Sequence, residues 1–207
     1  MSPGTGQRRL IECGVSARPL ASEPASGDLH LIQPFGRGVL MAVVDGIGHG
    51  SEAAAAARIA IEVLREYAEE RIPALARRCH ERLKGSRGAV IGLASFDGIE
   101  NTMTWAGIGN VEGWLLRARG ETNHTREVLL NRGGVVGYTM PPLHLVSRPV
   151  AQGDLLIAAT DGIRLDLSVN FAAGDTPASI ADDICTNYST GADDALVLVA
   201  RYLGWGE

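Results

Sequence analysis

With 207 residues, the chain has room for one medium-sized domain that buries a core without disulfide or metal staples. Its 45% hydrophobic and 21% charged residues place it with ordinary soluble globular proteins. A formal net charge of -5 argues against a general binder of nucleic acid or of an anionic membrane, which would carry a basic excess.

The cysteines Cys13, Cys79 and Cys185 are scattered, odd in number and never in a CxxC pair, so neither a disulfide framework nor a zinc ribbon is supported. Reduced thiols and a cytoplasmic location are expected. "MSPGTGQRRL" has no apolar core of a secretory signal, and no stretch approaches the roughly 20 apolar residues of a membrane span. A single domain over 1–207 is expected.

A short strand is predicted around Leu10 to Val15, followed by two strands, "DLHLIQ" and "GVLMAVV", joined by a turn at Pro34 to Gly38. The second is apolar throughout, as in a strand covered on both faces. A helix is predicted from Ser51 as N-cap, with Ala56, Ile59 or Ala60, Val63 and Tyr67 on one face. Pro73 opens a second helix carrying Leu75, Cys79 and Leu83, with Gly85 as its C-cap. "GAVIGLASF", "NTMTWAGIG", "VEGWLLRA" and "REVLLN" then read as strands with turns at "DGIEN", "GN" and "RGET", and connections this short imply an antiparallel meander. A loop rich in Gly and Pro (Gly133, Gly134, Gly137, Pro141, Pro142) precedes the apolar strand "DLLIAAT". A helix capped by Thr176 carries Ile180, Ile184 and Tyr188, and "DDALVLVARY" is the last strand. Strands outnumber helices and cluster in hairpins, so the fold class is α+β with mostly antiparallel sheet.

Four aspartates stand at strand ends. Asp45 and Asp161 directly follow apolar strands; Asp28 and Asp193 lie at or just before the start of others. Neighbouring antiparallel strands place ends beside starts, so the four can meet at one edge. Clustered carboxylates repel one another unless protonated or neutralised, and oxygen-only donors suit hard cations such as Mg²⁺ or Mn²⁺. Two such ions form the clamp used in metal-assisted phosphoester hydrolysis. Gly46 is expected to turn the backbone sharply after Asp45 and so present its carbonyl. The competing reading, aspartate before glycine as a plain turn, suits Asp97 in "FDGIEN" better than all four strand-end acids together.

The ordered series "SGD", "VVDGIGHG", "GIGN", "TDG" and "GADDALVLVA" over 26–200 resembles the metal-dependent protein phosphatases of the PPM (type 2C) superfamily, in particular the bacterial SpoIIE-type branch. The compact chain is similar to the stand-alone feedback phosphatases of the stressosome within that branch. The resemblance implies an α-β-β-α sandwich of two stacked antiparallel sheets. It also implies phospho-Ser/Thr hydrolysis on STAS-domain stressosome regulators, by attack of hydroxide held between two Mn²⁺ or Mg²⁺ ions. In that frame Asp45 bridges both metals, the Gly46 carbonyl binds one, and Asp28, Asp161 and Asp193 complete the shells. The chain is expected to act as a monomer.

There are departures from the family. Ile47 stands where eukaryotic members carry a histidine thought to be a general acid, and His49 of the "GHG" form follows two residues later. His49 is a candidate proton donor or phosphate contact, set against a plain polar residue at a helix start, where positive charge gains nothing. Asn110 replaces an acid that holds a third ion in larger relatives, Arg18 reads as a surface residue, and Asp194 either supports Asp193 or takes a water-mediated place at the metals. An ATP-binding kinase-like module lacks its Asn- and Glu-bearing upstream helix. A docking pseudophosphatase and a phosphatase of a free anti-anti-sigma factor stay as alternatives, and substrate choice is assigned to surface loops such as 133–149.

Overall fold

The computed structural model describes residues 9–20, 25–118, 125–164, 171–172 and 174–205. One sheet is built from β1 (Ile11–Arg18), β11 (Ala195–Tyr202), β10 (Leu155–Ala159), β6 (Glu112–Arg117) and β7 (Thr125–Leu129), in that spatial order. The other runs β2 (Asp28–Phe35), β3 (Gly38–Gly46), β4 (Ala89–Asp97), β5 (Thr102–Ile108) and β8 (Asn131–Arg132), with β9 (Val146–Pro149) also paired to β5. Helices α1 (Gly50–Glu66) and α2 (Ile72–Leu83) cover the second sheet, and α3 (Pro177–Tyr188) covers the first.

Three apolar layers result. Leu40, Ala42 and Val44 of β3 face α1 and α2, while Val39, Met41 and Val43 face the other sheet. The alternation of a strand with both faces apolar is therefore used twice over, once for each layer. The inter-sheet layer includes Trp105, Leu115, Leu156 and Leu198, and the third layer packs Leu155, Ile157 and Val197 under Ile180 and Ile184 of α3. This is the α-β-β-α sandwich expected from the resemblance.

Several local expectations hold. The Thr176 side chain accepts from the Ser179 N–H at 3.1 Å and Pro73 lies in the first turn of α2, while the C-cap of α2 is Lys84 and Gly85, expected there, follows it in the left-handed region (φ +82). Helix α1 differs: its N-cap is His49 in extended conformation, and Ser51 lies inside the first turn. Gly48 and Gly50, both at positive φ, start the helix earlier than the serine signal suggests. The meander is also broken. β5 does not pair with β6; the chain crosses at Gly109–Asn110 to the other sheet, where β6 lies between β10 and β7. Both faces of β6 are apolar, Leu115 toward the inter-sheet layer and Trp114 and Leu116 toward α3, so it requires a central place covered on both sides. At the vacated edge β5 pairs in parallel with β8, a pairing the hairpin reading does not anticipate. The "RGET" turn lies outside the described residues.

Candidate metal centre

The two sheets present their strand ends at one edge of the sandwich. Asp28, first residue of β2, is directly opposite Asp45, next to last in β3. In the other sheet, Thr160 and Asp161 directly follow β10, beside Asp193 and Asp194, which lead into β11. Thr160 joins the halves: its hydroxyl donates to Asp28 Oδ2 at 2.6 Å while accepting from the Leu196 N–H at 2.9 Å. Asp28 and Thr160 are buried, Asp45 is half-buried, and Asp161 and Asp193 are exposed.

The electrostatics show neighbouring acids acting on Asp28, Asp45 and Asp161. Burial pushes the Asp45 carboxyl up to about 8, with repulsion from Asp28, Asp161 and Asp193 adding to it. Burial likewise raises Asp28 to about 7, against the opposing Thr160 hydrogen bond and with repulsion from Asp194, Asp161 and Asp193. Asp161 is raised by burial and by Asp193. Like charges gathered in a partly dry edge destabilise their own ionised forms, and a bound cation reverses that preference. Among the described residues no group of three or more acidic, histidine or cysteine side chains is placed as it stands to hold a metal ion. The donor set of hard carboxylate oxygens nevertheless fits Mg²⁺ or Mn²⁺ rather than a softer ion.

Asp194 is a strut. Its Oδ1 accepts from the Leu20 N–H and its Oδ2 from the Gly27 N–H, both at 2.7 Å, which ties the β11 entry to the segment before β2. Its backbone N–H donates to Asp193 Oδ1 at 2.8 Å. Asn110 donates to Asp161 Oδ2. Gly46 differs in detail from expectation, because it is still in register with Ala89 at the end of β3 and the sharp turn comes at Gly48. Gly46 is needed instead for close approach: a Cβ there would stand 2.0 Å from the Ala53 carbonyl oxygen of α1. Its own carbonyl lies beside Gly27, next to Asp28.

His49 is exposed at the α1 N-cap, close in sequence to Asp45. Arg18 donates to Thr186 Oγ1 on α3 at 3.1 Å, in keeping with its reading as a surface residue. Asp97 caps its own hairpin turn by accepting from the Ile99 and Glu100 N–H groups and pairs with Arg37, the plain turn role expected for it. The thiols are inert: burial holds those of Cys13 and Cys79 up at about 12, and Cys185 is buried. The residue missed in the sequence is Thr160. The only signal was a polar side chain closing an otherwise apolar strand.

With that geometry in view, the family model described as "Stage II sporulation protein E (SpoIIE)" matches residues 36–203. The phosphoserine phosphatase RsbX of Bacillus subtilis (strain 168) is 22% identical over 178 residues, 86% of this chain and 87% of RsbX. A solved structure reported as "The bacterial stressosome: a modular system that has been adapted to control secondary messenger signaling" is 32% identical, with a TM-score of 0.83 over 92% of this chain and 99% of that one. RsbX in complex with magnesium superposes with a TM-score of 0.79 at 20% identity, over 93% of this chain and 95% of its own.

Proposed function

The chain belongs to the SpoIIE family, and from that premise we propose that it is a metal-dependent protein serine/threonine phosphatase acting on phosphorylated STAS-domain regulators of a stressosome. The observation that carries the reading is the edge where Asp28 and Asp45 of one sheet stand near Asp161 and Asp193 of the other, with the carboxyls of Asp28, Asp45 and Asp161 pushed up by burial and by repulsion from neighbouring acids. A relative named as a phosphoserine phosphatase and a structure reported for the stressosome support the substrate class. Among the described residues no helix is long and apolar enough to cross a membrane; a cytoplasmic location is part of the proposal.

Asp45, Asp28, Asp161, Asp193 and the Gly46 carbonyl would hold two Mg²⁺ or Mn²⁺ ions. When bound, such ions supply a water acidified to near neutrality and positive charge against the phosphoryl oxygens. The protein's part is orientation. Thr160 fixes the Asp28 carboxylate, Asn110 holds Asp161, and Asp194 pins the backbone of Gly27 against the site. No side chain is required as nucleophile. His49 is assigned the proton given to the departing seryl or threonyl oxygen.

Hydrolysis of p-nitrophenyl phosphate with Mg²⁺, Mn²⁺ or EDTA tests the reading beside a phosphorylated STAS-domain substrate. Activity that requires metal and falls at least about 100-fold in Asp161→Ala is expected. A folded protein inactive on both substrates with either metal would leave only the docking alternative. His49→Asn should lower kcat about 100-fold on phosphoserine and much less on p-nitrophenyl phosphate, whose phenolate leaves without a proton.

A further inference from the structure

An open groove of about 850 Å³ is lined by Ile47, Ala55, Ile59, Arg87, Val135 and Tyr138 among others. It includes Ile47, two residues beyond Asp45, and continues along α1 toward Val135 and Tyr138. Its walls are preset. The Ile47 N–H donates to the Gly88 carbonyl at 3.0 Å, Ala89 and Val136 exchange backbone hydrogen bonds, and the Gly137 N–H donates to His80 Nδ1 at 3.1 Å. Tyr138 is 65% exposed, an unusual placement for a large ring, and packs against the Gly88 backbone.

The charge in the groove is placed asymmetrically. Arg87 uses Nε and Nη2 on Glu52 of α1, which aims its remaining Nη1 over Gly48. Gly48 gives it space: a Cβ there would stand 3.0 Å from Nη1, and its φ of +90 suits glycine. A guanidinium thus stands beside Gly48, three residues after Asp45, in an otherwise largely apolar groove. A phosphorylated polypeptide complements both features, its dianion meeting Arg87 and a neighbouring apolar side chain meeting the groove.

We propose that this groove binds the polypeptide on one side of the phosphorylated residue, with an apolar substrate side chain between Ile59 and Tyr138 and the phosphoryl group entering past Arg87. The proposal rests on the phosphatase reading above and names the residues through which that site selects its substrate. Arg87 and Tyr138 are positioning residues, acting on substrate binding rather than on bond cleavage.

The probes are short phosphoserine peptides with the flanking residues varied between apolar, polar and charged, run beside p-nitrophenyl phosphate with Mn²⁺. Wild type should favour peptides with an apolar residue near the phosphoserine by at least about tenfold in kcat/KM. Tyr138→Ala, at an exposed position, should lower the ratio of peptide to aryl-phosphate kcat/KM at least about tenfold, through KM. Arg87→Ala should raise KM for both substrates, and Arg87→Lys should restore part of the loss on each. A wild type without peptide preference, or a Tyr138→Ala ratio within about twofold of wild type, would overturn the groove while leaving the phosphatase intact. Wild type inactive even on p-nitrophenyl phosphate would instead remove the phosphatase reading, and this proposal with it.

Discussion

Thr160 shows how much one hydroxyl can organise. It is fully buried, donates to Asp28 and accepts from Leu196, so both of its bonds cross between segments far apart in sequence. Thr160→Val keeps the shape but strands a buried carboxylate oxygen and a backbone N–H. The expected loss is about 1–3 kcal/mol in urea unfolding, with weaker Mn²⁺ binding by calorimetry. The acids themselves set a pH dependence for the metal-free protein. Asp28 and Asp45 have folded pKa values near 7 and 8, above the carboxylate value of the unfolded chain. Between about pH 4 and pH 8 the folded state therefore binds more protons than the unfolded one, and stability falls as pH rises through that window. Melting in EDTA should move to lower temperature from pH 6 to pH 8. Mn²⁺ affinity should move the other way and weaken as protons compete at pH 6.

Among the elements, α1 depends on a contact that only hydrogen at Gly46 permits. Gly46→Ala places a methyl group inside the Ala53 carbonyl and must displace the helix, at an expected cost of about 1–3 kcal/mol or more and with activity lost alongside. Thr176→Ala, at the far end of the molecule, should lose about 1 kcal/mol by urea titration with kcat unchanged. The elements were largely legible in the sequence because periodicity and turn residues are local signals. Most strand positions, the α3 cap and the placement of Asp28, Asp45, Asp161 and Asp193 at strand ends follow from such signals, whereas β9 (Val146–Pro149) falls where the sequence reads as a loop. What was not legible depends on pairing at a distance. A two-residue turn between β5 and β6 reads as a hairpin, and only the need to cover both Trp114 and Leu115 sends β6 to the other sheet. Thr160 escaped for the same reason, since its partners lie in other strands.

For the whole molecule, divalent ions should act as a ligand of the folded state alone. Saturation to about 100 times Kd adds about 2.7 kcal/mol, read as a rise in melting temperature that EDTA reverses. Substitution at the edge should cancel this increment: Asp161→Ala should melt at the same temperature with and without Mn²⁺.

The acid edge is divided between two sheets that are stacked, not hydrogen-bonded into one, and the divide falls between Asp28 with Asp45 and Asp161 with Asp193. A cation shared across that divide would therefore be a clasp on the sandwich as well as a reagent. Opening the layers would require releasing it, so amide exchange along β2 and β11 should slow in concert when Mn²⁺ is added. Turnover and resistance to proteolysis would then rise together over the same range of ion concentration, and a cell short of manganese would hold an enzyme both slower and shorter-lived.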